Sequence, residues 1–263
     1  MLRAMYSGIS GLKNFQSKLD VVGNNIANVN TFGYKKGRVT FKDLVSQQVG
    51  SATAANGVSG GVNPKEVGLG GTMATVDNVY NQGAMQNSGR ALDVGISGEG
   101  FFALDVNGQT QYTRAGNFYT DNTGDLVNGD GAYVLSTTGD RLNIPAGAKS
   151  LSIGKDGQVS YVNNAGESTV VGQIQVVTFA NNAGLSKVGA NNFIQSQNSG
   201  EPNVGIPGQD GRGELVSGAL EMSNVDLSEE FTEMIVAQRG FQANTRIITT
   251  SDEILQELVN LKR

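Results

Sequence analysis

Leu220, Leu227, Met234, Phe241, Ile248 and Leu255 recur every seven residues, and Met5, Leu12, Leu19 and Ile26 repeat that spacing near the other end of the chain. A seven-residue apolar spacing keeps one face of a helix turned toward a partner helix. The pattern predicts a helical stem divided between the two chain ends, whose stripes are buried only if the ends meet each other or meet other copies. In the first stretch Leu2 and Ile9 flank the stripe on one side, and Phe15, Val22 and Val29 on the other. Gly8, Gly11 and Gly23 interrupt it, each costing roughly 0.5–1 kcal/mol relative to alanine. A sum on the order of 2 kcal/mol leaves an isolated helix of this length largely unfolded. The glycines fit close helix packing, and they equally fit a segment that stays disordered until assembly. Asn30-Thr31-Phe32-Gly33 reads as the helix exit, with Gly33 able to take the left-handed conformation.

The second helix has a clear start. Asp226 followed by Glu229 has the capping-box spacing, Glu230 suits the positive end of the dipole, and Lys262 and Arg263 suit the negative end. From Leu227 to Leu261 it would run about 50 Å at roughly 1.5 Å per residue. Gln238, Arg239, Asn244, Thr245 and Ser251 flank the stripe. They form either a solvated face or polar contacts to neighbouring subunits or a wet channel, where hydrogen bonds fix register.

Between the helices the period changes. Apolar runs at 101–104, 133–135 and 173–179 are separated by Asn107-Gly108, Asn128-Gly129, Asp130-Gly131 and Asp156-Gly157. These dipeptides supply the positive φ that tight hairpin turns need. The fold class expected is α+β: long N- and C-terminal helices forming a coiled-coil-like stem, with a central antiparallel β-rich domain. The boundaries read as a helical core from 1–32 and 225–263, connecting segments at 33–71 and 215–224, and a β body at 72–214. Within the first connection, residues 50–61 are almost all small, and such a stretch is expected to be flexible or extended. Gly68, Gly70 and Gly71 lack the Lys-Ser/Thr and the strand-to-helix context of a phosphate loop. Asp121, Thr123 and Asp125 resemble alternating calcium ligands, but no carboxylate follows at the twelfth position, which favours a turn.

Composition narrows the chemistry further. The 263 residues include no cysteine and no histidine, so thiolate metal sites and the commonest general acid/base are both absent. A net charge of -5 argues against nucleic acid, and the Lys35, Lys36, Arg38 cluster is too small to reverse that. No run approaches the roughly 18–20 apolar residues of a membrane span. Polar residues from Ser7 to Gln16 interrupt any cleavable signal sequence. No catalytic, cofactor or metal site is expected, and neither nucleic acid nor membrane insertion.

Four ordered motifs carry a resemblance to a known family. Residues 19–35, LDVVGNNIANVNTFGYK, and 223–244, SNVDLSEEFTEMIVAQRGFQAN, resemble the terminal signatures of bacterial flagellar axial proteins, the rod and hook family. The runs 92–102 and 112–118 resemble its body motifs. Asn24, Asn25, Asn28, Thr31 and Gly33, with Gln238, Arg239 and Asn244, are the signature positions. The resemblance implies a subunit of a hollow helical tube in the flagellar hook or basal-body rod, outside the cytoplasm. In such a tube the terminal helices form the inner core and the β domain an outer layer. It implies as partners further copies of the chain, other axial proteins of the rod and hook–filament junction, the hook or rod cap, and the type III export apparatus. Leu12, Leu19, Ile26, Leu227, Met234, Phe241, Ile248 and Leu255 are expected to form the assembly core.

Within the family the ends, above all 234–244 and 255–263, look more like hook protein than rod protein, so a bendable hook subunit is the expectation. The short chain with one evident body domain is more typical of the stiff distal rod, which is the alternative. A carbohydrate-active enzyme or a monomeric binding module would instead need a convergent carboxylate pair or rigid termini.

Overall fold

The computed structural model describes residues 2–55, 60–145, 147–164 and 166–261. The chain forms two units, each assembled from separate stretches of sequence. One contains the residues up to Ala27, then Gly37–Asp77, then those from Asp226 on; the other contains Asn28–Lys36 and Asn78–Val225.

The first unit is built on two helices, α1 at Leu2–Ala27 and α2 at Leu227–Asn260. Asp226 caps α2, its side chain accepting from the backbone N–H of Ser228 at 2.8 Å and of Glu229 at 3.5 Å. Such a cap satisfies donors that the first turn otherwise leaves open. Lys262 and Arg263 lie outside the described residues. Leu220 is not helical: it sits, buried, in the strand Ala219–Glu221. The seven-residue row on α2 therefore starts at Leu227, because the chain is still in extended pairing six residues earlier.

Residues 37–55 and 60–78 form a long antiparallel ribbon rather than a plain connection. Gly37–Asp43 pairs with Gly71–Asn78, and Gln47–Gly50 pairs with Lys65–Val67. Thr53 and Val62 form a further bridge. The small residues expected to be a linker thus make the outer arms of this ribbon, and positions 56–59 of that stretch lie outside the described residues. Arg38 and Asp77 form an ion pair, and the Thr40 and Thr75 hydroxyls meet at 2.6 Å. Gly70, with φ +117°, brings the ribbon against α1, where a Cβ would overlap the Ser10 hydroxyl. Close approach accounts for glycine here without any phosphate.

The second unit is the β body. Among the described residues its largest sheet has nine strands, with Phe101–Val106 at the centre. That strand pairs antiparallel with Gln109–Thr113, Tyr133–Val134 and Val176–Thr178. Alternation along a strand sends neighbouring side chains to opposite faces. Phe102 and Leu104 accordingly join a core with Phe118, Val134, Ile174 and Leu215, while Phe101 and Ala103 join one with Tyr112, Phe179 and Phe193. Burial on both faces explains why the run from Phe101 to Leu104 is continuously apolar. A second sheet of three strands, Ser150–Ile153, Gln158–Val162 and Ser168–Gln173, adds Ile153 and Val159 to the first core. The Asn107-Gly108 turn joins two adjacent strands with φ of 54° and 83°, the hairpin conformation expected of that dipeptide.

Candidate functional site

The helix pair is the place where the chain's apolar patterning and its family signatures coincide. α1 and α2 run antiparallel, each contact advancing along one helix as it retreats along the other. A Cβ on Gly8 would meet Ile248, one on Gly11 would lie 2.9 Å from Asn244 Oδ1, and one on Gly240 would overlap the Phe15 ring. Farther along, Lys18 pairs with Glu233, and Asn25 Nδ2 donates to Glu230 Oε2 at 3.1 Å. The seam therefore follows Gly8, Gly11, Phe15, Lys18, Val22 and Asn25 on α1. On α2 it follows Glu230, Glu233, Ala237, Gly240 and Asn244. Its alternating three- and four-residue steps are those of a coiled coil, but apart from Phe15 and Val22 its residues are small or polar.

The residues expected to form the assembly core lie beside this seam. Leu12, Leu19, Ile26, Met234, Ile248 and Leu255 are half-buried, and Leu227 and Phe241 are exposed at 39% and 37%. The buried positions are instead Gly8, Val22 and Asn25 on α1 and Glu230, Ala237 and Ser251 on α2. Backbones carrying glycine and alanine approach closely, which moves the larger side chains out to the flanks. Further apolar residues are left in water: Phe231, Ile235, Val236, Ile247, Ile254 and Leu258 on α2, and Tyr6 on α1. Rows of this size on a single chain mark surface suited to another partner.

The signature residues divide by role. Asn25 clamps the start of the ribbon as well as α2, since its carboxamide donates to Gly37 O and accepts from Gly37 N, both at 2.9 Å. Asn244 Nδ2 donates to Gly240 O at 2.9 Å and its side chain fills the space left by Gly11. Asn24, Gln238 and Arg239 are exposed. Ser251 and Thr245 return their hydroxyls to carbonyls one turn back, those of Ile247 and Phe241. In the body, the Thr31 hydroxyl donates to Asn28 Oδ1 at 3.1 Å, and Gly33 takes φ +68° where a Cβ would lie 2.6 Å from Ala115 N.

The sequence reading missed a buried charge cluster in the body. Glu221 is fully buried, with Lys35 Nζ at 2.7 Å from Oε1 and Arg114 Nε at 3.2 Å from Oε2. Lys35 Nζ also donates to Asn81 O at 2.9 Å, Gly83 N to Glu221 Oε1 at 2.9 Å, and Arg114 Nη2 to Gly98 O at 2.7 Å. Burial pulls the Lys35 ammonium below its ordinary range, against the opposing pull of Glu221. Burial likewise lowers Arg114, and Glu221 opposes it. Lys35 closes one quoted motif and Arg114 lies inside another, so their motifs were visible, but nothing in a single sequence pairs them with Glu221.

No helix among the described residues is long and apolar enough to cross a membrane, and no cluster of three or more His, Cys, Asp or Glu is placed to hold a metal. In an open cleft of the body, Asp105 accepts from Gly108 N at 2.8 Å and lies 3.6 Å from Arg141.

A helix pair that leaves apolar rows in water, accompanied by a β body, is the build of a structural subunit, and comparison with known proteins agrees. The profile described as "Flagella basal body rod protein" matches residues 5–35, "Flagellar hook protein FlgE/F/G D1 domain" residues 95–161, and "Flagellar basal body rod FlgEFG protein C-terminal" residues 216–261. The chain is 60% identical to the flagellar basal-body rod protein FlgG of Bacillus subtilis, with both chains covered in full. It is 38% identical to FlgG of Agrobacterium fabrum over 96% of this chain and 97% of that one. To the flagellar hook protein FlgE of Borreliella burgdorferi it is 31% identical, both chains again covered in full. The chain belongs to the flagellar rod and hook protein family, a family of structural proteins that form the basal-body rod or the hook. The expectation of hook over rod is not supported: the identity to the rod protein is about twice that to the hook protein. The hook alignment extends over 441 positions, far beyond this chain's 263 residues, and the C-terminal stretch that suggested hook falls within a profile described jointly for FlgE, FlgF and FlgG.

Proposed function

We propose that this chain is a subunit of the flagellar rod, polymerising with its own copies and with other axial proteins into a hollow, stiff, torque-bearing shaft. The observation that carries this reading is the 60% identity to a rod protein over the full length of both chains. The exposed rows on α2 support it, because burying such side chains between copies contributes roughly 1.5–3 kcal/mol each. On this reading the half-buried residues from Leu12 to Ile26 and from Leu227 to Leu255 complete their burial in the polymer. The helical core takes α1 and α2, Leu2–Ala27 and Leu227–Asn260. Delivery of subunits through the export apparatus and placement under a cap belong to the same proposal.

Electron microscopy of tubes grown from the purified chain tests it. Straight tubes are expected. Curved, supercoiled tubes would assign the chain to the hook, and a chain that stays monomeric at high concentration would count against both.

A further inference from the structure

Residues 28–36, which follow α1, are held in the body by hydrogen bonds to Val79, Asn81, Asn191, Glu221 and Asn224. Gly33 N donates to Glu221 O at 2.8 Å and Lys35 Nζ to Glu221 Oε1 at 2.7 Å. Three residues on, Asn224 Oδ1 accepts from Lys36 N at 2.8 Å, while Asn224 Nδ2 donates to Val79 O at 2.7 Å. Val79 N in turn donates to Lys36 O at 2.9 Å.

The charges in this cluster do not balance when the segment is seated. Two cations, Lys35 and Arg114, share the single carboxylate of Glu221, all three buried. If the segment leaves, Lys35 regains water and Arg114 keeps Glu221, so a neutral pair remains in the body. Breaking a buried ion pair is costly when it strands a charge. Here release strands none. The fully buried side chains of both hydrophobic cores come from residues 94 to 215, and Tyr34, the buried apolar side chain of the segment, belongs to neither. Local elements bound by few apolar contacts are the ones that open separately from the rest of a fold.

We propose that residues 28–36 form a releasable strap, seated on Glu221 and Asn224, which opens while the β body stays folded. Resting on the rod reading above, the seated state is the one that enters the polymer, because it gives every copy of the β body the same surface.

Hydrogen exchange on the full-length chain, read on peptides covering 28–36 and 101–106, tests the strap directly. In the unaltered chain the strap peptide exchanges at least about tenfold faster than the sheet peptide, as sub-global opening requires. Lys35→Glu sets a second carboxylate against Glu221 and speeds strap exchange by about a hundredfold, leaving the sheet peptide unchanged. Lys35→Met removes the surplus charge and keeps the strap protected. Equal exchange of the two peptides in the unaltered chain, or loss of sheet protection together with strap protection in Lys35→Glu, would overturn the proposal. Polymerisation is scored separately: Lys35→Glu chains with an open strap that still form normal tubes would refute the assembly role and leave the rod reading intact.

Discussion

Asn25 donates through Nδ2 to the carboxylate of Glu230 at 3.1 Å, joining α1 to α2 by a side-chain bond buried at both ends. The same carboxamide holds Gly37 by its N–H and its carbonyl. Asn25→Ala leaves those groups and Glu230 without that partner. A loss of about 2–3 kcal/mol is expected in the unfolding of the helix pair, measured by urea denaturation followed by circular dichroism. Asn25→Asp, which opposes two carboxylates, should cost more than the alanine.

The glycines of the helices should respond in opposite directions. Gly240→Ala gains helix propensity but drives a methyl group into the Phe15 ring, and a net loss of about 1–3 kcal/mol is expected from the overpacking. Around Gly23 nothing lies within 4 Å of a new Cβ. Gly23→Ala should therefore stabilise α1 by about 0.5–1 kcal/mol. Thermal unfolding of the two variants against the unaltered chain gives the comparison.

Alkaline titration should reveal Lys35. Its pKa in the folded chain is lowered from an ordinary value of 10.5, so between the two values the unfolded chain binds more protons than the folded one. Stability from this group therefore rises with pH across that window and is level above 10.5. Lys187, also lowered by burial, acts in the same direction, whereas the buried hydroxyls of Tyr80 and Tyr112, raised from 10.0, oppose it above that pH. The difference between the unaltered chain and Lys35→Met isolates the Lys35 share. The unaltered chain should gain stability relative to Lys35→Met as pH rises through that window, a trend measurable by denaturant unfolding at successive pH values.

Phe241 is already exposed at 37% in the single chain, so Phe241→Asp should leave the helix pair and the β body folded. It should nevertheless abolish tube formation by placing a charge on a row that the proposed polymer buries. Met234→Asp, at a half-buried position, should do the same at some added cost to the helices. Normal tubes from either variant, seen by electron microscopy, would exclude this row from the assembly core.

The amino-acid pattern made the helices, the α2 cap and several hairpin turns legible because each depends on neighbours close in sequence. Asp226 and Glu229 announce a helix start, and Asn107-Gly108 announces a turn, with no help from elsewhere. The ribbon escaped because its partners are distant: Gln47 pairs with Val67 and Thr53 with Val62, and small residues carry little strand periodicity. The seam between the helices was missed for another reason. Seven-residue spacing was read from the large apolar residues, whereas close contact falls to glycine, alanine and asparagine one step round the helix. Phe15 and Val22, noted only as flanking positions, turned out to lie on the seam itself. Glu221 carried no signal, since a lone glutamate in a strand normally faces solvent.

The charge cluster also sets a timetable for the chain. Lys35 and Glu221 are separated by 186 residues, so their pairing must await nearly the whole polypeptide. Closing so long a loop is slow compared with forming a helix or a hairpin. A chain emerging amino end first can form its local hairpins early, yet its final clasp waits for one of the last strands to arrive. Until then the residues after α1 lack their last partner.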